Sequence, residues 1–128
     1  MDRKAATRHY KETPRPMGIY RVRNTRNGKI LLGSSVDLPS MLNRQRAQLA
    51  MGAHANRGLQ KDWNEMGAEA FEFEVVDTLE PPDREDYDPA PDLRTLERMW
   101  LEKLSPYDER GYNPRPKPAP ERPPATPS

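Results

Sequence analysis

Tyr20, His54, Glu97 and Asn113 are among the side chains of this sequence whose types can serve proton transfer, metal binding or hydrogen bonding to a reacting group. A phenol and an imidazole exchange protons, a carboxylate offers hard oxygen to a cation, and a carboxamide both donates and accepts hydrogen bonds. Taken one at a time, each also has an ordinary structural reading. Tyr20 falls in a strand pattern, where a tyrosine is usually core or sheet surface. His54 falls between two helices and could cap the second. Glu97 lies between Leu96 and Trp100 and could pair with Arg94 or Arg98, while Asn113 precedes Pro114 as a turn residue would. The sequence has no cysteine, which excludes disulfides and thiolate metal sites.

Of 128 residues, 34% are hydrophobic and 32% are charged, the balance of a water-soluble chain with one modest core. The net charge of +1 conceals a division. Residues 1–61 hold 13 Lys/Arg against three Asp/Glu, whereas residues 62–113 hold five against 16. The basic half could meet a polyanion such as nucleic acid. Its candidate phosphate contacts are Arg3, Lys4, Arg8, Lys11 and Arg15 of an N-terminal arm, with Arg26 and Lys29 of a hairpin. The two halves could equally neutralise each other across the fold. No apolar run is long enough for a signal peptide or a membrane span, so no membrane partner is expected and the cytoplasm is the default compartment.

The elements that must position these residues can be read from periodicity. Residues 1–16 form a basic arm with room for one short helix, stopped by Thr13-Pro14-Arg15-Pro16. Gly18 to Arg23 alternates as a strand, Asn27-Gly28 favours a tight hairpin because both residues can adopt positive φ, and Ile30 to Gly33 is the returning strand. Asp37 caps a helix running to about Met51, with Leu38, Leu42 and Leu49 as its buried stripe. A second helix covers about Arg57 to Met66, with Leu59 and Trp63 on one face and Gly67 at its end. Phe71 to Val76 is a third strand and Pro81 to Pro91 an acidic loop. Leu93 to Leu104 is a third helix with Leu93, Leu96, Trp100 and Leu104 as its stripe. From Pro114 to Ser128 there is no large apolar side chain, so this Pro-rich segment is expected to stay extended and disordered. The fold class expected is α/β: one small domain over 17–113, with a three-stranded sheet containing an antiparallel hairpin and flanked by helices.

Six ordered blocks resemble the GIY-YIG nucleases. Gly18-Ile19-Tyr20 and Leu32-Gly33-Ser34-Ser35 flank the turn Asn27-Gly28-Lys29. Asp37-Leu38, then Gly52 to Asn56 with Leu59 to Trp63, follow. Phe71 to Val75, Leu96-Glu97 with Trp100, and Gly111-Tyr112-Asn113 complete the series. The resemblance implies phosphodiester cleavage with one divalent cation, Mg²⁺ or Mn²⁺, and a nucleic-acid partner, DNA ahead of RNA. Carried over by position, it implies Tyr20 as the first catalytic tyrosine, His54 as the histidine after the first helix, Glu97 as the metal ligand and Asn113 as the closing asparagine. Two positions depart from the pattern: Leu31 stands where a second tyrosine is expected and Met41 where the helix has an arginine. Arg44, three residues beyond Met41 and about 60° around the helix, is a candidate replacement for that charge. If active, Tyr20 assisted by His54 would take a proton from the attacking water. A binding module that keeps the fold without cleavage is the alternative, and a protein-interaction adaptor using the Pro-rich segment a third reading.

Overall fold

The computed structural model describes residues 15–115. The arm carrying Arg3, Lys4, Arg8 and Lys11, and the Pro-rich segment from 116 onward, lie outside the described residues. Strand β1 (Met17–Asn24) pairs antiparallel with β2 (Ile30–Ser35) on one side and with β3 (Phe71–Leu79) on the other, giving the order β2-β1-β3. Helices α1 (Leu38–Ala50) and α2 (Arg57–Met66) lie between β2 and β3 in sequence, and α3 (Ala90–Leu104) follows β3. Among the described residues this is the α/β arrangement of a three-stranded antiparallel sheet with three α-helices.

Alternation along β1 sends Tyr20, Val22 and Asn24 to one face and Ile19, Arg21 and Arg23 to the other. The first face builds the core: Val22, Leu49, Leu59, Ala70, Phe71 and Tyr112 pack together, with Leu31, Trp63, Met66 and Phe73 around them. Leu49 on α1 and Leu59 on α2 are the helical contributions, buried as their stripes require. The second face is covered toward one end by α3, where Trp100 Nε1 donates to Asp77 Oδ2 at 2.9 Å. Toward the other end it is charged, with Arg21 and Arg23 paired to Glu74 and Glu72 at 2.7 and 2.8 Å. Part of the charge division in the sequence is thus neutralised across the β1–β3 ladder.

Two local expectations change. The hairpin is wider than a two-residue turn, because only Gly28 takes positive φ, at 80°. Asn24 and Asn27 use their carboxamides to satisfy the loop, accepting from the Arg26 and Lys29 N–H groups at 2.9 Å each. Asparagine side chains that accept from backbone N–H groups two residues on hold such a loop locally. Helix α3 begins at Ala90, inside the stretch expected to be loop, because Pro91 sits in its first turn, where its missing N–H costs nothing.

Candidate active site

The site is built on β2, the edge of the sheet, from residues that flank it on both faces. Tyr20 lies opposite Gly33 across the β1–β2 ladder, with its ring folded over the glycine. A Cβ at Gly33 would fall 2.5 Å from the Tyr20 hydroxyl oxygen, so only glycine leaves room for this tyrosine. Tyr20 is 7% exposed. Burial raises its pKa, the Glu97 carboxylate raises it further, and the Arg44 guanidinium opposes both. The phenol is therefore the resting form at neutral pH, and Arg44 is the neighbour that favours phenolate.

Glu97 projects from α3 to the other side of the same strand. Ser34, next to Gly33, donates its hydroxyl to Glu97 Oε1 at 2.7 Å. Neither Arg94 nor Arg98 forms an ion pair with Glu97; the serine holds the carboxylate instead. Among the described residues no group of three or more His, Asp or Glu side chains gathers to hold a metal. One carboxylate beside a hydroxyl is nevertheless an adequate donor set for a hard cation that keeps most of its water, as Mg²⁺ does.

A second chain of contacts reaches Tyr20 from α1. Gln45 is 8% exposed and donates from Nε2 toward the Tyr20 hydroxyl at 3.4 Å. Its Oε1 stands 2.6 Å from His54 Nε2. The Asn56 N–H donates to His54 Nδ1 at 3.0 Å, which leaves the ring proton on Nε2, directed at Gln45. Burial lowers the His54 pKa, in keeping with a neutral imidazole. His54 thus meets Tyr20 through Gln45 rather than directly. Gln45 was absent from the residues singled out in the sequence. Its signal was there: it interrupts the apolar stripe of α1 four residues before Leu49, where a polar side chain must find partners.

The remaining candidates are distributed differently. Asn113 spends its carboxamide on the Leu32 backbone, accepting from N–H at 2.8 Å and donating to C=O at 2.9 Å. It fastens the closing segment to β2 beside the site. Leu31 packs against the core and Met41 lies with its sulfur 3.5 Å from Gln45 Nε2. Arg44 is exposed near Tyr20. Arg15 pairs with Asp37 at 2.6 Å, and the Lys29 ammonium sits 5.6 Å from the Tyr112 ring centroid. Arg26 and Lys29 lie in the hairpin loop beyond Asn24, which is itself roughly 13 Å along β1 from Tyr20.

No family model matches the chain. It is 30% identical over 96 residues to intron-associated endonuclease 1 of Enterobacteria phage T4, an alignment covering 75% of this chain and 36% of that protein. The chain therefore spans about a third of the length of that relative. The structure superposes on the catalytic domain of homing endonuclease I-TevI with a TM-score of 0.60 and 30% identity, over 76% of this chain and 96% of that one. A mutant of the intron endonuclease I-TevI catalytic domain gives a TM-score of 0.63 and 26% identity, over 77% and 92%. By sequence and by fold, the chain belongs to the GIY-YIG nucleases, as a member with Leu31 and Met41 in place of the pattern's second tyrosine and helix arginine.

Proposed function

We propose that this domain hydrolyses phosphodiester bonds in nucleic acid, DNA ahead of RNA, using a divalent cation held at Glu97. The observation that carries the proposal is that Tyr20 and Glu97 meet adjacent residues of the edge strand β2, the phenol lying over Gly33 and the carboxylate accepting from Ser34 at 2.7 Å. Similarity to an intron-associated endonuclease and to catalytic domains of an intron endonuclease supports the same reading.

Glu97, with Ser34 fixing one of its oxygens, would hold the cation largely through water. When bound, Mg²⁺ or Mn²⁺ supplies Lewis-acid stabilisation of the negative charge that develops on the phosphoryl and leaving oxygens. Tyr20 would meet the attacking water, its hydroxyl accepting from Gln45 Nε2 at 3.4 Å. Acting as proton acceptor requires the phenolate, which Arg44 favours and both burial and Glu97 oppose. Arg44 would offer its exposed guanidinium to a phosphate oxygen. His54 orients Gln45, and Asn113 anchors the strand that carries the site. The arm and the hairpin cations would add sequence-independent phosphate contacts.

A second reading rests on Leu31 and Met41. The core position of the Leu31 side chain and the thioether facing Gln45 leave the site without two groups of the family pattern, as expected of a module kept for binding. A cleavage assay separates the two. Wild type and Glu97→Ala are incubated with single-stranded DNA, duplex DNA and RNA in Mg²⁺, Mn²⁺ or EDTA. Cleavage lost both in EDTA and in the variant supports the enzyme. Salt-sensitive binding without cleavage by either protein would instead support the module.

A further inference from the structure

We infer that a groove between the end of α1 and the outer face of α2 binds the nucleic-acid backbone next to the reacting phosphate, with Arg57 and Lys61 as its phosphate contacts. The inference rests on the nucleic-acid reading above and adds a path for the strand that leaves the site.

The groove has a volume of about 470 Å³ and is lined by Gly52, His54, Arg57, Gln60, Lys61, Asn64 and Glu65. Its floor is built rather than incidental. Gln60 is 8% exposed and spends its carboxamide inward, donating to the Leu49 carbonyl and to Asn64 Oδ1 at 3.0 Å each. Its Oε1 accepts from the His54 N–H at 3.0 Å. This fixes the loop that carries His54 against α2. The groove therefore shares His54 with the site, two side-chain contacts from Tyr20 by way of Gln45.

Exposed positive charge lies at the same place. Of the cations in the basic half, Arg15, Arg21 and Arg23 are paired with carboxylates. The Arg46 guanidinium lies 4.6 Å from the Phe73 ring centroid. Arg57 is exposed and has no ion pair or side-chain hydrogen bond among the described residues. Lys61, one turn further along α2, meets Glu65 at 3.9 Å with both side chains mostly exposed, a contact that leaves its charge available. Two like charges one turn apart slightly destabilise a helix by themselves. An incoming phosphate offsets that repulsion, and arginine presents a planar fork that matches its oxygens. Arg44, on the neighbouring helix near Tyr20, is likewise exposed.

The test is the salt dependence of binding to a duplex DNA oligonucleotide in EDTA, for the full chain, an Arg57→Ala/Lys61→Ala variant and an Arg57→Lys/Lys61→Arg variant. Each lost phosphate contact lowers the slope of log K against log[salt] by about 0.9 on duplex DNA. The alanine pair is expected to lower the slope by about 2 and to weaken binding at low salt about tenfold or more, while the charge-retaining pair stays close to wild type. Circular dichroism melting checks that the exposed substitutions leave the fold intact. A wild type that binds with a steep slope, matched by an unchanged alanine pair, overturns the groove assignment alone. A wild type without salt-sensitive binding overturns the nucleic-acid reading and the groove with it. Equal wild-type affinity for polyglutamate would mark the groove as a site for an acidic protein segment and also overturn the inference.

Discussion

The Tyr20 hydroxyl lies directly over the backbone of Gly33, its partner across the β1–β2 ladder, with room for a hydrogen but not for a methyl group. The atoms nearest a built Cβ are the phenol oxygen and two ring carbons, at 2.5, 2.6 and 2.8 Å. The glycine thus sets how far the phenol reaches over the edge strand. Gly33→Ala must move either the ring or the strand. Overpacking of this kind costs about 1–3 kcal/mol. Urea denaturation is expected to show that loss, together with diminished cleavage. Unchanged stability would mean that the ring does not occupy this position.

Gln45 ties His54 to Tyr20. Gln45→Leu keeps most of the volume but removes both contacts, leaving the His54 Nε2–H and the phenol without their shared partner. The loss of an oriented hydrogen bond is expected to lower the cleavage rate about tenfold. In wild type, ¹⁵N-detected NMR should show His54 as the neutral Nε2–H tautomer at pH 7, titrating below its usual value near 6.5. Because the folded pKa is depressed, the associated stability is present above pH 6.5 and is lost as the pH falls through the folded value. An Nδ1–H tautomer would contradict the contact with the Asn56 amide.

Tyr112 gives a pH signature at the other end of the range. Its hydroxyl donates to Asp62 Oδ2 at 2.6 Å and accepts from Asn24 Nδ2 at 2.9 Å. Burial and the Asp62 acceptor push its pKa up from 10.0 to about 12. In the unfolded chain the phenol ionises near pH 10, while the folded chain keeps its proton. Stability should therefore be level below pH 10 and fall between pH 10 and 12. Tyr112→Phe is expected to flatten part of that fall in urea titrations while lowering stability at pH 8, since Asn24 loses a buried partner. A fall equally steep in the variant would place the effect in other tyrosines.

Leu31 and Met41 are testable by restoration. Met41 lies one turn before Gln45 with its sulfur on the Gln45 amide, so Met41→Arg would bring a guanidinium toward Gln45 and Tyr20. Leu31→Tyr adds a phenol beside Gly33 on the core face of β2. The double variant is expected to cleave at least about tenfold faster than wild type, equivalent to about 1.4 kcal/mol of transition-state stabilisation. Single-turnover kinetics with excess protein would read this directly. No gain would show that other residues already fill those roles.

Much of the frame was legible because periodicity and turn chemistry are local. The three strands, the three helices and the stripes through Leu38 and Leu49, Leu59 and Trp63, and Leu93 and Trp100 follow from side-chain spacing, and the order of blocks carried the family resemblance. Errors came where side chains compete with backbone rules. The Asn24 and Asn27 carboxamides widened the hairpin, and Pro91 opened α3 where it was expected to lie in a loop. Residue identity alone says which groups are available for chemistry, including that Leu31 and Met41 bring neither a phenol nor a charge. Their partners follow from packing. It set Ser34, not Arg94 or Arg98, on Glu97, gave Asn113 to the Leu32 backbone, and placed Gln45 between His54 and Tyr20. These contacts join residues 25 to 81 positions apart or cross from helix to loop, where direction and burial choose the partner and linear spacing carries no information about either.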